Sequence, residues 1–103
     1  MLPVVRTEQA EADLAALLTS FDEYSPPAAD RFVELLDAKC RLLSQFPEIG
    51  RRCDALLPGL RSIVIGRYVV YYRVANDAVQ IIRILHAKQD AASKLKEDED
   101  AKD

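Results

Sequence analysis

The pattern that decides the fold lies in residues 60–85, which read LRSIVIGRYVVYYRVANDAVQIIRIL. Three runs of β-branched and aromatic residues are separated there by Gly66-Arg67 and by Ala75-Asn76-Asp77, segments typical of tight turns. Links this short join neighbouring antiparallel strands. The stretch therefore predicts a three-stranded antiparallel meander.

The middle strand of this meander has two unlike faces, because successive side chains of a strand point to opposite sides. One face carries Tyr68, Val70, Tyr72 and Val74, and the other carries Arg67, Val69, Tyr71 and Arg73. We expect the first face to pack on the rest of the protein. The second face is half polar and is a candidate functional surface.

Upstream of the meander, apolar residues recur at helical spacing. A first helix is expected from its N-cap Thr7 to about Tyr24, and a second from Pro26 to about Phe46, where Pro47 ends it. The stripes predicted to be buried are Leu14, Leu17, Leu18 and Phe21 in the first helix, and Phe32, Leu35, Leu36, Leu43 and Phe46 in the second. The tight link between the helices predicts an antiparallel hairpin.

The remaining segments complete a β-α-α-β-β-β order. Residues 2–7 (LPVVRT) are typical of an edge strand, and residues 47–59 of a loop rich in Pro and Gly. We predict an α+β domain over residues 1–95, in which a helical hairpin packs on a small antiparallel sheet. Residues 91–95 are expected to form a short helical turn, and residues 96–103 a disordered acidic tail with nothing to bury.

Composition excludes several classes of protein. The chain has 103 residues, 50% of them hydrophobic, which fits one domain. It lacks both an apolar run near the ~20 residues of a membrane span and the features of a signal peptide, so we expect a cytoplasmic protein with no membrane partner. Cys40, Cys53 and the single His86 match no metal or redox spacing, and no phosphate-binding glycine motif occurs; no cofactor is expected.

The net charge of −3 conceals an uneven distribution. Residues 1–49 carry four Lys or Arg against nine Asp or Glu, which gives −5. Residues 50–95 carry eight against three, which gives +5, and residues 96–103 carry two against five, which gives −3. The basic segment suits an acidic partner, or its side chains are solvated strand faces; both interpretations fit the sequence.

Cationic and aromatic side chains of the predicted strands form the candidate functional set. Its members are Arg61, Arg67, Tyr71, Arg73, Arg83 and His86. In a ribonuclease such a set would bind phosphates, with the histidine as acid or base. The structural alternative is that Arg73 and Arg83 pair with helix acids while His86 closes the last strand through a backbone hydrogen bond. We favour the alternative for His86, which alternates onto the side of Ile82 and Ile84.

Four motifs resemble the ParE/RelE superfamily of bacterial toxins, and its ParE branch in particular. They are FPEIGR at 46–51, GLRS at 59–62, GRYVVYYRV at 66–74 and IRILH at 82–86. The likeness extends over about residues 3–95 and includes the helical hairpin. It implies the toxin of a type II toxin–antitoxin pair, neutralised by a ParD-like antitoxin that folds along the toxin and alone contacts operator DNA.

The two branches of the superfamily imply different targets. RelE-like toxins cut mRNA in the ribosome, and the residues available for that role here are Arg61, Arg83 and His86. The branch's catalytic arginine on the middle strand falls on Val69, however, and no tyrosine follows His86. ParE-like toxins inhibit DNA gyrase without being nucleases. The resemblance therefore favours a gyrase inhibitor with no catalytic residues of its own.

On the ParE interpretation, six residues are expected to contact the target or the antitoxin. They are Arg61, Arg67, Tyr71, Arg73, Arg83 and Lys88. The branch usually continues after the histidine as H-G-x-R-D; here Ala87-Lys88-Gln89-Asp90 keeps the aspartate and moves the positive charge to Lys88. A third interpretation is a non-toxic relative that binds its antitoxin and helps to repress their shared operon.

Overall fold

Five strands form one sheet, and the computed structural model describes residues 1–101, without the side chains of residues 22, 24 and 97–101. The strands are β1 (Val4–Arg6), β2 (Arg51–Arg52), β3 (Arg61–Ile65), β4 (Tyr68–Ala75) and β5 (Ala78–His86). The helices are α1 (Glu8–Tyr24), α2 (Pro26–Gln45) and α3 (Ala91–Ala101). The strands lie in the order β1-β5-β4-β3-β2. The predicted α+β class is confirmed.

The predicted meander is confirmed as β3, β4 and β5, which pair antiparallel. Asn76 and Asp77 join β4 to β5 with φ angles of 55° and 57°, as a two-residue type I′ turn requires. Gly66 opens the β3–β4 turn with φ of 59°, a conformation that glycine adopts without steric cost.

Both edges of the sheet differ from the prediction. β1 is an edge strand as expected, but it runs parallel to β5, with Val4 opposite Val79, so the sheet is mixed rather than antiparallel. Short links fix the direction only of the strands that they join, whereas β1 and β5 are separated by both long helices and by β2 to β4, a route long enough for parallel pairing. At the other edge, Arg51 and Arg52 form the short strand β2 inside the predicted loop.

The two long helices begin and end close to their predicted bounds. Thr7 caps α1, because its Oγ1 accepts the N–H of Ala10 at 3.1 Å. Pro26 occupies the first turn of α2, and the N–H of Phe46 donates to the carbonyl of Leu42 at its end. Within residues 1–101, the structure contains no helix long and apolar enough to cross a membrane.

The sheet buries side chains on both of its faces. The larger cluster lies on the face covered by α1 and α2 and contains Ala10, Leu17, Phe32, Leu36, Leu43, Ile65, Val70, Tyr72, Val79, Ile81 and Ile84. The smaller cluster lies on the outer face and contains Leu60, Ile82 and Leu95, with Cys53, Leu56, Leu57, Tyr71 and Ala91 packed around them. The outer face is therefore partly covered by the 53–60 loop and α3.

Helix α3 extends further than the predicted helical turn. It continues to Ala101, and Leu95 is only 1% exposed within the outer cluster. A single leucine in a charged segment gives no periodicity, so the sequence alone did not reveal this contact. Residues 102–103 of the predicted disordered tail lie outside the described residues, and the domain boundary at residue 95 stays a prediction.

A β-bulge on β5 changes which side chains share a face. Tyr71 lies opposite Arg83 and Tyr72 opposite Ile81, so Ile82 is the additional residue and packs in the outer cluster. The expectation that Ile82 and Ile84 share one side was therefore wrong, since Ile84 lies in the larger cluster.

Val74 departs from the face assignment for another reason. It is 44% exposed, although it alternates with the buried Tyr72. β3 pairs with β4 only as far as Tyr72, so Val74 has a neighbouring strand on one side alone.

Candidate protein-interaction surface

An apolar groove of about 340 Å³ lies where the link between α1 and α2 meets the β3–β4 turn. Three aromatic rings, those of Phe21, Phe32 and Tyr68, pack in its wall with centroids 5.5 to 5.8 Å apart. Arg31 and Arg67 also line it, and both are exposed. We call this feature the aromatic groove; it combines apolar surface with two positive charges.

A row of exposed apolar side chains continues from this groove along α2. It consists of Leu35, Ala38, Leu42 and Phe46, which we call the α2 stripe; the exposed fractions of the three large side chains are 44%, 38% and 55%. Leu35 and Phe46 were predicted to be buried. A helix on a sheet buries only one arc of its surface, and these two residues lie beside that arc rather than within it.

Arg67 and Lys88 lie at the same end of the sheet as the aromatic groove. The N–H of Ala87 donates to the carbonyl of Arg67 at 2.8 Å, which holds the turn after β5 against the β3–β4 turn. Both cationic side chains are exposed. Two of the six predicted interaction residues thus flank one accessible region.

His86 makes the structural contacts expected of the end of a strand. Its Nδ1 accepts the backbone N–H of Lys88 at 3.1 Å, and its own N–H donates to Oε1 of Gln89 at 2.7 Å. Its ring meets that of Tyr68 edge-on, with centroids 5.2 Å apart. The ring therefore helps to order the turn that carries Lys88.

Arg83 forms the predicted pair with an acid of the helices. Its Nε and Nη2 donate to the two carboxylate oxygens of Asp13 at 2.7 and 2.9 Å, and the N–H of Ile84 donates to the same carboxylate at 3.0 Å. The Arg83 and Asp13 side chains are only 12% and 14% exposed. Sequence reasoning missed Asp13, although an acid three residues after Ala10 and four before Leu17, both buried, is the signal for a buried polar contact.

Arg61 stabilises the loop before β2 through hydrogen bonds. Its Nη1 donates to the carbonyls of Glu48 and Gly50, each at 2.9 Å. The hydroxyl of Tyr72 accepts the N–H of Gly50 at 2.9 Å and donates to the carbonyl of Pro47 at 2.8 Å. Burial raises the pKa of the Tyr72 hydroxyl, which keeps it in the neutral form that can donate.

Tyr71 and Arg73 lie on the outer face of β4. Tyr71 packs in the outer cluster, and burial raises the pKa of its hydroxyl. No ion pair of Arg73 with a helix acid is found among the described residues, where its Nε is buried and has no hydrogen-bond partner. The half-polar functional surface predicted on this face of β4 is therefore partly covered.

The three residues that a ribonuclease would need do not converge. Arg61 lies opposite Tyr72 and His86 lies opposite Tyr68, on strands that flank β4 from either side. Four residues of a strand separate those positions by about 13 Å along the strand. Arg83 pairs across from Tyr71 and is already bound to Asp13. The structure therefore brings together no site from this set.

Comparison with known proteins identifies the family. Residues 4–91 match the family model described as the ParE toxin of the type II toxin–antitoxin system parDE. Toxin RelE2 of Caulobacter vibrioides is 40% identical over 84% of this chain and 97% of that protein, and toxin ParE1 of the same organism is 31% identical over 92% and 99%.

A solved structure agrees with this assignment. A chain from the chromosomal ParDE toxin–antitoxin system of P. aeruginosa superposes with a TM-score of 0.70 at 25% identity, over 84% of this chain and 96% of that chain. The family model spans most of the chain, and the helical hairpin and sheet follow the same architecture. The chain belongs to the ParE toxin family of type II toxin–antitoxin systems.

Proposed function

We propose that this toxin is a cytoplasmic, non-enzymatic inhibitor of DNA gyrase, and that a ParD-like antitoxin neutralises it by occupying the aromatic groove. The observation that carries the proposal is the separation of Arg61 from His86, which lie opposite Tyr72 and Tyr68 on the two sides of β4, with Arg83 held by Asp13. Phosphate cleavage needs an acid, a base and a cation around one reacting atom. A protein-directed inhibitor needs only an accessible surface.

The aromatic groove supports the antitoxin part of the proposal. Its apolar wall offers a place for large apolar side chains of a folding segment, which are the usual anchors of such interfaces. Arg31 and Arg67 at its rim favour a segment with carboxylates near the anchor. Binding of this kind orders the antitoxin only on contact with the toxin, which suits tight neutralisation. On this proposal, operator DNA is contacted through the antitoxin alone.

The residues proposed to contact gyrase are the accessible members of the predicted set. Arg67 and Lys88 are exposed at one end of the sheet, and the backbone around His86 holds their two turns together. Arg61, Tyr71, Arg73 and Arg83 are at least partly covered, and we propose that they support the surface from behind.

A supercoiling assay tests the proposal directly. Gyrase, relaxed plasmid and ATP are incubated with the purified toxin, with and without antitoxin, and the products are separated on gels. We expect supercoiling to fall and cleaved DNA to accumulate, and antitoxin to reverse both effects. Intact supercoiling at toxin concentrations well above those of gyrase would refute the gyrase target.

The second candidate is a ribosome-dependent endoribonuclease. The observation that favours it is the 40% identity to a relative named toxin RelE2. A parallel reaction with translating ribosomes and a defined mRNA distinguishes the two: cut mRNA with intact supercoiling would select the nuclease. No effect in either reaction would select the third interpretation, a non-toxic relative that binds its antitoxin in operon repression.

A further inference from the structure

The α2 stripe is an apolar surface that the described part of the chain leaves open. Leu35, Ala38 and Leu42 follow one another at spacings of three and four residues, so they share one side of the helix. Phe46 extends this row to the end of α2 and is 55% exposed. A row of this length along a single helix is the geometry by which two helices pair.

Two charged residues lie along one edge of the α2 stripe, one before and one after its middle residue, Ala38. Glu34 lies four residues before Ala38, and Arg41 lies three residues after it; both are exposed. They are two helical turns apart, which is about 10 Å, and therefore point to the same side of α2. Neither joins an ion pair within the described residues.

We propose that the α2 stripe pairs with the α2 stripe of a second copy of this chain, with the two helices antiparallel about a twofold axis beside Ala38. Residues that lie about equally far before and after Ala38, to within one position, are then close to each other across the axis. Glu34 meets Arg41 of the partner subunit, and symmetry repeats the contact, so two ion pairs form. Leu35 packs near Leu42 of the partner subunit, and the small side chain of Ala38 lets the helices approach closely.

The positions of Glu34 and Arg41 on α2 favour the antiparallel arrangement, and they favour a second copy of this chain as the partner. In a parallel pair the twofold axis runs along the helices and places the edge that carries Glu34 and Arg41 on opposite sides of the contact in the two copies, so neither ion pair can form. Only the antiparallel arrangement places the acidic part of each α2 stripe against the basic part of its copy. A surface that is complementary to itself in this way fits a closed, symmetric dimer.

The pairing is expected to be weak and reversible. One helix face offers less than the ~800 Å² that each partner buries in a stable complex, so we expect dissociation in the micromolar range. Leu35 belongs both to the α2 stripe and to the wall of the aromatic groove. The dimer therefore covers part of the groove, and antitoxin binding should separate it; this consequence alone rests on the proposed function.

Charge exchange tests the pairing. Sedimentation of the purified full-length toxin is measured over about 1 to 100 µM, where a micromolar dimer changes population. E34R or R41E alone places like charges opposite each other twice, and each should raise the dissociation constant about tenfold or more. The double variant E34R/R41E restores both ion pairs in reversed order and should dimerise like the wild type. K96E, a charge reversal on α3, which packs on the opposite face of the sheet from α2, is the matched control.

Any of the following results would overturn the proposal. A wild-type toxin that is monomeric throughout this range lacks the dimer, and single variants that associate like the wild type place the contact elsewhere. A double variant that keeps its helical circular dichroism but fails to dimerise would likewise show that these ion pairs do not form the contact. Antitoxin affinity is measured on the same variants. If the wild type is monomeric and the single variants lose antitoxin binding, the α2 stripe is a contact surface for the antitoxin instead. The supercoiling assay is independent of all four outcomes.

Discussion

Two regions along β4, one around Tyr72 and one around Tyr68, use the same residue types for different purposes. In the Tyr72 region, the guanidinium of Arg61 and the tyrosine hydroxyl donate to loop carbonyls, and Arg83 nearby is bound to Asp13. In the Tyr68 region, the side chains of Arg31 and Arg67 are exposed and have no ion pair within the described residues. The first region holds the fold together, and the second is available to a partner. Residue type alone does not separate these roles; the contacts do.

The largest expected effect is on the Tyr72 region, which holds the fold together. Asp13→Ala leaves the guanidinium of Arg83 and the N–H of Ile84 without their carboxylate in a site about one-eighth exposed. We expect the free energy of unfolding to fall by about 3 kcal/mol. In a domain of this size that lowers the melting temperature by at least about 10 °C.

A second ion pair, which joins β1 to the same helix, provides the control. Arg6 and Glu11 are 2.7 Å apart but 37% and 54% exposed. Glu11→Ala should cost less than about 1 kcal/mol, because solvent screens exposed pairs. Equal losses for the two variants, measured by thermal denaturation, would show that Arg83 does not hold the fold in the way described.

The next effect concerns the loop held by Tyr72. A Cβ on Gly50 would collide with the hydroxyl and ring of Tyr72 and with the carbonyl of Ser62. Gly50→Ala is therefore expected to cost about 2 kcal/mol of unfolding free energy in chemical denaturation. Tyr72→Phe removes the hydroxyl that causes part of the collision, so the double variant should lose less than the sum of the two. Strict additivity would contradict the close approach.

A smaller effect is expected in the Tyr68 region. Arg31→Glu/Arg67→Glu should leave the unfolding free energy within about 0.5 kcal/mol, because both side chains are exposed and unpaired within the described residues. Affinity for a ParD-like antitoxin should fall about tenfold or more, since acidic residues of the partner would meet repulsion. Titration calorimetry measures the affinity. Unchanged affinity would remove the aromatic groove from the antitoxin interface.

The smallest effect is expected at His86. Glutamine retains a hydrogen-bond acceptor for the N–H of Lys88, so His86→Gln should leave toxicity within a few-fold in a folded protein. Growth arrest on induction, compared with the wild type at equal expression, measures this. A loss of several orders of magnitude would mean that the imidazole takes part in chemistry.

Much of this architecture could be predicted from local patterns. Turn residues between apolar runs gave the meander, and the Thr7 cap and Pro26 gave the helix starts. The bulge at Ile82 could not be predicted, because a run of β-branched residues on both sides of a strand fits either register. The parallel direction of β1 depends on contacts far apart in the chain.

The candidate surface was harder to predict than the fold. Basic residues on strands were identified, but which of them are free depends on partners such as Asp13 and the carbonyl of Glu48, which lie 70 and 13 positions away in the sequence. Arg31 was missed because it lies on a helix, whereas the candidate set came from the predicted strands. Its position one residue before the buried Phe32 places it at the rim of the aromatic groove.

The pairing of β1 with β5 also determines when this toxin is completed during its synthesis. Val79, the partner of Val4 in the sheet, is made 75 residues after it. The sheet cannot close on a nascent chain that lacks β5, and contacts this distant in sequence slow folding. The groove and the basic turns are therefore expected to mature together, late and in one step.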